Sequence, residues 1–267
     1  MYTFGLTESD QRLNFELIFQ KYESEINEKT KILIEDWRNN LDCLLYVFKS
    51  KLMSMIRNPY CIEKTINTFS YAADHYPTNG ELKDYFDQIS SYSVPIEVLS
   101  KFSVTEEKYK KWLKILFIML TPTFGERCIL DDFAEGFFDF SKFFHLIYLC
   151  SYANEICLLS DRSYVDISSI FENSNGVTFG FNLRKDAFIY LSFFPNDVDV
   201  IIRTLLKNNP NINGLVHNAK FLGIKQFQYN LTITRIKDNI DMLKSYNKHV
   251  IYQSFDSVYG ASSKINK

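Results

Sequence analysis

Glycine and proline are both scarce in this sequence, with 9 Gly and 6 Pro among 267 residues. A shortage of residues that break regular backbone structure favours long helices over an all-β fold with many turns. An excess of one charge is missing too, because 30 Lys and Arg stand against 32 Asp and Glu, giving a formal net charge of −2. This balance lacks the basic signature of nucleic-acid binding, so we expect no nucleic-acid partner.

Paired cysteines and long apolar runs are also missing. There are five cysteines, and none is spaced as Cys-x-x-Cys, which favours free thiols in a reducing compartment over a disulfide framework. The first residues, MYTFGLTESDQRL, contain neither the basic nor the apolar stretch of a secretory signal. The most apolar run, residues 113–120, is too short to cross a bilayer. We therefore expect a cytoplasmic protein that does not bind membranes.

Aromatic residues are plentiful, with 24 Phe and 17 Tyr. Hydrophobic residues make up 46% of the chain, and a chain of this length can bury a sizeable core without disulfides or a structural metal. Phenylalanine and tyrosine fill cores, and they are also enriched at binding surfaces. We expect most of these rings in the core and the remainder on an interaction surface.

Apolar spacing of three and four residues predicts helices from residue 7 to residue 158, interrupted by turns near Pro59 and Pro122. The last of these helices, over residues 127–158, has an unusually Phe-rich face. His145 falls within it, where we predict a packed core histidine.

After about residue 160 the pattern changes to short strands. Residues 177–183 and 187–194 predict a β-hairpin that turns at Arg184, Lys185 and Asp186. Residues 229–235 and 249–255 predict two more strands, with a helix over 237–245 between them. We thus predict a mainly α fold, in which a helical N-terminal bundle (residues 1–158) and a smaller α+β C-terminal part with an antiparallel hairpin (residues 159–267) pack as one compact unit.

Common catalytic motifs are absent from the sequence. It has no glycine-rich nucleotide-binding loop, no Gly-x-Ser-x-Gly elbow, and no histidine spacing typical of zinc sites. We therefore assign no catalytic residue, no metal ligand and no cofactor, and we favour a protein that is not an enzyme.

One short segment matches a metal-dependent nuclease motif in its letters. Glu81-Leu82-Lys83, with Asp74 upstream, has the carboxylate and Glu-x-Lys pattern that holds a divalent metal when both parts lie on strands. Thr78 and Glu81, however, form a capping box that predicts the start of a helix. This context disfavours the nuclease interpretation.

The densest group of carboxylates comprises Asp131, Asp132, Glu135 and Asp139. On a helix, Asp131, Glu135 and Asp139 recur every four residues and share one face. Such a face can bind Mg²⁺ or Ca²⁺, or it can dock a basic protein. The simplest interpretation is the exposed side of an amphipathic helix, with phenylalanines on the other side. We take these four residues as the candidate partner-binding surface.

These observations favour a non-catalytic protein-binding protein. In its most concrete form it is an inhibitor or immunity-type protein, or another component of bacterial–phage conflict, that docks on a toxin or nuclease. A subunit of a larger assembly, including a homo-oligomer, needs the same kind of surface. The alternative is a divergent metal-dependent nuclease of a defence system, with ligands drawn from Asp131, Glu135 and Asp139, or from Asp74 and Glu81.

Overall fold

The structure of the protein is a computed structural model that describes residues 15–36, 40–74, 76–77, 80–120, 127–167, 176–195 and 231–261. The chain forms two compact units. Unit 1 comprises Met1–Glu28 and Tyr46–Ala134, and unit 2 comprises Lys29–Leu45 and Glu135–Lys267.

Helices account for most of the described chain up to residue 137. Their bounds are α1 Phe15–Glu23, α2 Ile26–Glu35, α3 Leu41–Ile56, α4 Ile62–Ala73, α5 Gly80–Ser91, α6 Ile96–Phe102, α7 Glu106–Met119 and α8 Ile129–Phe137. A short 3-10 turn, Pro59–Cys61, connects α3 to α4, and the side chain of Asn58 caps it by accepting a hydrogen bond from the amide of Tyr60.

The core of unit 1 forms around α7, whose second half is almost entirely buried. Thr105 caps the helix by accepting a hydrogen bond from the amide of Lys108. The indole nitrogen of Trp112 donates to the carbonyl of Ile56 at 2.7 Å, which satisfies a carbonyl at the end of α3. Helices α4 and α5 both pack against α7.

Unit 2 contains a mixed four-stranded sheet made of β1 Phe143–Ser151, β3 Val177–Arg184, β4 Ala187–Pro195 and β5 Ile233–Lys237. The strand order in this sheet is β3-β4-β1-β5. Strand β1 pairs antiparallel with β4 and parallel with β5. Strands β2 Leu159–Ser160 and β6 Val258–Tyr259 form a separate two-stranded antiparallel sheet.

The predicted helix over residues 127–158 is wrong beyond α8. Helix α8 ends at Phe137, and β1 begins at Phe143, so His145 lies on a strand. The physical reason is that β1 is a central strand with a neighbour on each side. Such a strand has a nearly continuous apolar sequence, in which residues spaced by three or four can mimic a helix.

The predicted hairpin is confirmed. Strands β3 and β4 pair antiparallel, and the two-residue turn at Lys185 and Asp186 lies within the predicted segment. The register shifts between Asn182 and Arg184, which marks a bulge next to the turn. Every residue of β4 from Ala187 to Phe194 is buried, so this hydrophobic hairpin belongs to the core.

The predicted strand over residues 249–255 is wrong, because helix α9 spans Ile240–Gln253. Asn239 caps this helix by accepting a hydrogen bond from the amide of Met242. Leu243, Tyr246 and Val250 recur at helical spacing and bury the inner face of α9. The predicted strand over 229–235 is confirmed in part by β5, while residues 229–230 lie outside the described residues.

The broad prediction therefore stands as a helical N-terminal region followed by a C-terminal sheet with antiparallel strands. In the part of the chain that the structure describes, no helix combines the length and the apolar character needed to cross a membrane.

Candidate functional site

The four predicted partner-binding carboxylates have different surroundings. Asp131 is only 4% exposed, whereas Asp132 is exposed and pairs with Arg127 at 2.5 Å. Glu135 is half-buried on α8. Asp139 follows the helix in a turn, where it accepts hydrogen bonds from the amide and hydroxyl of Ser141.

The four carboxylates do not form one continuous exposed stripe, because Asp131 is buried. Asp131 and Asp132 belong to unit 1, and Glu135 and Asp139 belong to unit 2. The burial of Asp131 removes its carboxylate from the surface of unit 1. The partner-binding role of the other three residues stays a prediction. The carboxylates of Asp132 and Asp139 also have local partners, Arg127 for the first and Ser141 for the second.

Asp131 is the centre of a buried polar cluster that includes Tyr22, Cys128, Lys21 and Lys49. Its carboxylate accepts a hydrogen bond from the amide of Cys128 at 3.0 Å. It pairs with Lys49 at 3.1 Å and with Lys21 at 3.4 Å. The hydroxyl of Tyr22 lies 3.0 Å from the sulfur of Cys128. The cluster thereby links α1, α3 and α8 within unit 1.

Electrostatics keep the Asp131 carboxylate ionised. Burial alone raises its pKa, but the amide of Cys128, the hydroxyl of Tyr22 and the ammonium of Lys49 outweigh burial and hold the pKa at about 2. Burial raises the pKa of the Cys128 thiol, and the nearby Asp131 charge adds to that rise. Because a protonated thiol is a poor nucleophile, the cluster has the chemistry of a structural link rather than of a reactive site.

The cysteines and His145 also lie in packed surroundings. All five cysteines are free and buried, and burial raises the pKa of the Cys150 and Cys157 thiols to about 12. The Nε2 of His145 donates to the carbonyl of Phe137 at 2.6 Å, and its ring packs against Phe138. Burial lowers the pKa of His145, and its hydrogen bond to the carbonyl of Phe137 opposes part of that shift.

The residues considered as metal ligands do not assemble into a site within the described chain. No group of three or more His, Cys, Asp or Glu side chains there could hold a metal ion. Asp131 interacts with two lysines, which is unfavourable for binding a cation. Asp74 lies on the surface after α4, and the side chain of Glu81 lies outside the described residues.

Unit 2 exposes a group of large apolar side chains near its C-terminal end. We call this group the aromatic face. Tyr252 is 77% exposed, Tyr259 is 57% exposed and Ile251 is 54% exposed. Phe255 and Leu159 complete the face. Scattered exposed apolar residues are normal, but a cluster from neighbouring segments is typical of an interaction site.

Hydrogen bonds hold the segments of the aromatic face next to one another. The carboxylate of Asp161, just after β2, accepts hydrogen bonds from the amides of Phe255, Asp256 and Ser257 at 2.6–2.9 Å. Leu159 and Tyr259 are direct cross-strand partners in the small sheet. The side-chain amide of Gln253 exchanges two hydrogen bonds of 2.7 Å with the backbone of Asp166.

The opposite side of α9 anchors the aromatic face to the core. Tyr246 stacks on Phe188 of β4 with a centroid distance of 4.1 Å and nearly parallel rings. Leu243 and Val250 are buried in the same hydrophobic cluster, which also includes Cys150 and Tyr190. The exposed Tyr252 ring is thus carried by a helix with a well-packed inner face. Ordering a binding surface in advance lowers the entropic cost of binding.

Charged residues flank the exposed rings. The ammonium of Lys248 lies 5.7 Å from the centroid of the Tyr252 ring, and Lys244 is exposed one turn earlier on α9. Asp256 is exposed on the other side and accepts a hydrogen bond from the hydroxyl of Ser257. Along the chain, Ile251, Tyr252 and Phe255 therefore lie between the cationic Lys244 and Lys248 and the anionic Asp256.

Sequence reasoning missed the aromatic face because residues 249–255 were predicted as a strand. With helical spacing, Leu243, Tyr246 and Val250 fall on one side, and Lys248, Ile251 and Tyr252 fall on the other. The signal was present in the sequence, since Asn239 followed by this apolar spacing predicts a capped amphipathic helix.

We compared the chain with known protein families, curated proteins and solved structures. No protein-family model, no curated protein and no solved structure matches this chain significantly.

Proposed function

We propose that this protein acts by binding another protein chain through the aromatic face, and that it catalyses no reaction itself. The observation that carries the proposal is the set of exposed residues Ile251 and Tyr252 on α9, Phe255 in the bend after it, and Tyr259 on β6. Tyrosine is among the residues that most often anchor protein–protein interfaces, because its ring buries a large area at a small cost in side-chain entropy, and phenylalanine is also enriched at interfaces.

The positions of the reactive groups support a binding role. The thiols are buried, Asp131 interacts with lysines, and His145 is packed among phenylalanines. The large side chains that reach solvent on the aromatic face are apolar or phenolic, which suits docking better than acid–base chemistry. In the form predicted from the sequence, the bound protein is a toxin or nuclease, and this chain is its inhibitor.

Site-specific photo-crosslinking tests the proposal. Tyr252 is replaced by a photoreactive phenylalanine analogue, and the full-length protein is irradiated in cells of its own host. The matched control carries the same analogue at Tyr92, which is 38% exposed in unit 1. Adducts are separated by electrophoresis and identified by mass spectrometry.

We expect a defined protein adduct from position 252 and none of comparable yield from position 92. The triple substitution Ile251→Ser, Phe255→Ser and Tyr259→Ser should suppress the adduct, because it removes the neighbouring apolar contacts while leaving the crosslinker in place. Equal yields from the two positions, or no adduct from either, would contradict the proposal.

A further inference from the structure

We propose that residues 254–261, which we call the strap, open from unit 2 while the rest of the unit stays folded, and that the carboxylate of Asp161 is the latch that keeps the strap closed. The strap carries Phe255 and Tyr259, so its closure completes the aromatic face. This consequence for the aromatic face rests on the proposed function, whereas the opening of the strap does not.

The strap begins where α9 ends. Ser254 has extended backbone angles, with φ −61° and ψ 146°, so the chain no longer follows the helix after Gln253. Helix α9 itself is anchored by its buried inner face. Among the described residues 254–261, by contrast, none is buried. A segment with so little buried area opens at a lower free-energy cost than the core of its unit does.

Two kinds of contact hold the strap against unit 2 besides the latch. Strand β6 pairs with β2 over two residues, and the amide of Asp161 donates to the carbonyl of Ser257 at 3.1 Å. Val258 is partly buried and packs against the hydrophobic cluster that contains Tyr246. A pair of strands this short is marginally stable by itself, so the strap needs further support from a side chain.

The carboxylate of Asp161 supplies that support. Its Oδ1 accepts the amide of Phe255 at 2.9 Å, and its Oδ2 accepts the amides of Asp256 at 2.6 Å and Ser257 at 2.9 Å. Burial raises the pKa of Asp161, but these amides outweigh burial and bring the pKa below its ordinary value. Hydrogen bonds to a charged acceptor are stronger than neutral ones, so one ionised carboxylate fixes three consecutive amides of the strap.

The residues of the aromatic face fall into two groups. Ile251 and Tyr252 belong to α9 and Leu159 belongs to β2, so these three keep their positions when the strap opens. Phe255 and Tyr259 move with the strap. A partner that contacts both groups binds the closed form more tightly, and it therefore shifts the equilibrium toward closure.

Hydrogen exchange followed by NMR on the purified full-length protein tests the opening. The reporter is the backbone amide of Asp161, because its acceptor is the Ser257 carbonyl of the strap. The reference is the amide of Leu191, a buried residue of β4. Protection is expressed relative to the intrinsic rate of each amide. In the wild type we expect the reporter to be at least about 100-fold less protected than the reference, and insensitive to low denaturant concentrations, because local opening exposes little surface.

Asp161→Asn tests the latch with little change in shape. Both carboxylate oxygens face amide donors, so the NH2 group of asparagine meets a donor in either orientation. We expect the protection of the reporter to fall by about tenfold or more, while that of Leu191 stays unchanged. The reporter amide does not bond to the replaced side chain, so its loss of protection measures separation of the strap.

The matched control is Asp238→Asn, the same change at another aspartate of unit 2. The Asp238 carboxylate accepts the amide of Ala153 at 2.8 Å, away from the strap in sequence. Asp238 has a φ of 52°, a conformation that asparagine adopts readily. This variant should leave the reporter as protected as in the wild type.

Three results would overturn the inference. A reporter as well protected as Leu191 in the wild type would show that the strap opens only when the whole unit unfolds. A reporter that Asp161→Asn leaves unchanged would reject the latch. Equal losses at the reporter and at Leu191 would make Asp161 a general stabiliser of the unit instead.

Photo-crosslinking from position 252 tests the consequence for the aromatic face. The double variant Asp161→Asn, Val258→Asp removes the latch and the apolar contact but keeps every residue of the face. We expect its strap to be open most of the time, with the reporter near its intrinsic rate and the adduct yield reduced by about half or more. An unchanged yield from a protein with an unprotected reporter would overturn the link between the strap and the aromatic face. A strap that opens as expected in a wild type without any adduct would retain the strap and reject the proposed function.

Discussion

At the scale of single residues, the buried carboxylate of Asp131 joins segments that are distant in sequence. It forms ion pairs with Lys49 and Lys21. Lys21, one of its ionic partners, lies 110 positions earlier. Spacing along a helix reports which residues share a face, but it does not report what that face meets.

We expect Asp131→Asn to destabilise unit 1 by about 1.5–3 kcal/mol, the usual effect of removing a charged partner from buried hydrogen bonds. The neutral amide would leave Lys49 and Lys21 without their shared anion. Denaturant unfolding followed by tryptophan fluorescence measures the change, because Trp112 is buried in unit 1. The control Asp132→Asn should cost less than about 1 kcal/mol, since its pair with Arg127 is exposed. Equal effects would show that the cluster is not stabilising.

The same carboxylate predicts a dependence of stability on pH. Its pKa is about 2 in the folded protein, below the ordinary value of 3.8. A lowered carboxyl pKa stabilises the fold fully above its unfolded value and loses that contribution as the pH falls through its folded value. The free energy of unfolding of the wild type should therefore fall between about pH 4 and pH 2 more steeply than that of Asp131→Asn. Parallel pH profiles would contradict this assignment.

At the scale of elements, the sequence predicted the hairpin and the N-terminal helices but assigned two segments to the wrong class. Strand β1 contains aromatic residues at helical spacing, and only its position in the middle of the sheet shows that both of its edges are paired. Residues 249–253 continue a helix that begins at Ile240, and residues 254–255 lie beyond its end. Predicting residues 249–255 as a strand also hid the aromatic face, because only helical spacing shows that Ile251 and Tyr252 lie on the exposed side of α9.

Gly180 and Gly136 offer a matched test of how closely elements pack. A Cβ at Gly180 of β3 would lie 2.9 Å from the Tyr190 ring and 3.1 Å from the carbonyl of Val165. A Cβ at Gly136, on α8, would meet no atom within 4 Å apart from its chain neighbours and the nearby backbone of its own helix. We expect Gly180→Ala to destabilise unit 2 by about 1–3 kcal/mol, because overpacking displaces both the ring and the backbone.

Gly136→Ala should instead stabilise the protein by about 0.5–1 kcal/mol, since alanine loses less backbone entropy in a helix. Thermal unfolding of the two variants and the wild type gives both signs in one experiment. If both substitutions lower the melting temperature equally, the close approach of Val165 and Tyr190 to Gly180 is not what determines the result.

At the scale of the whole molecule, the cysteines of both compact units are buried. Cys43, Cys150 and Cys157 are buried in unit 2, and Cys61 and Cys128 are buried in unit 1. The expected free thiols are confirmed, and their burial explains why none needs a disulfide partner. Large apolar groups on the aromatic face reach solvent, whereas the five thiols are buried, so the two kinds of group are separated.

The separation predicts that thiol labelling reports unfolding. In the native protein all five cysteines should react slowly with an aromatic disulfide reagent, because each must first be exposed by opening of its unit. After denaturation all five should react at once. Ser93→Cys adds an exposed thiol on unit 1 and should give one fast equivalent against the slow background, which calibrates the reagent. A native cysteine that reacts as fast as the one at position 93 would be an accessible thiol. That result would contradict the burial of all five cysteines and make a reactive cysteine a candidate catalytic group.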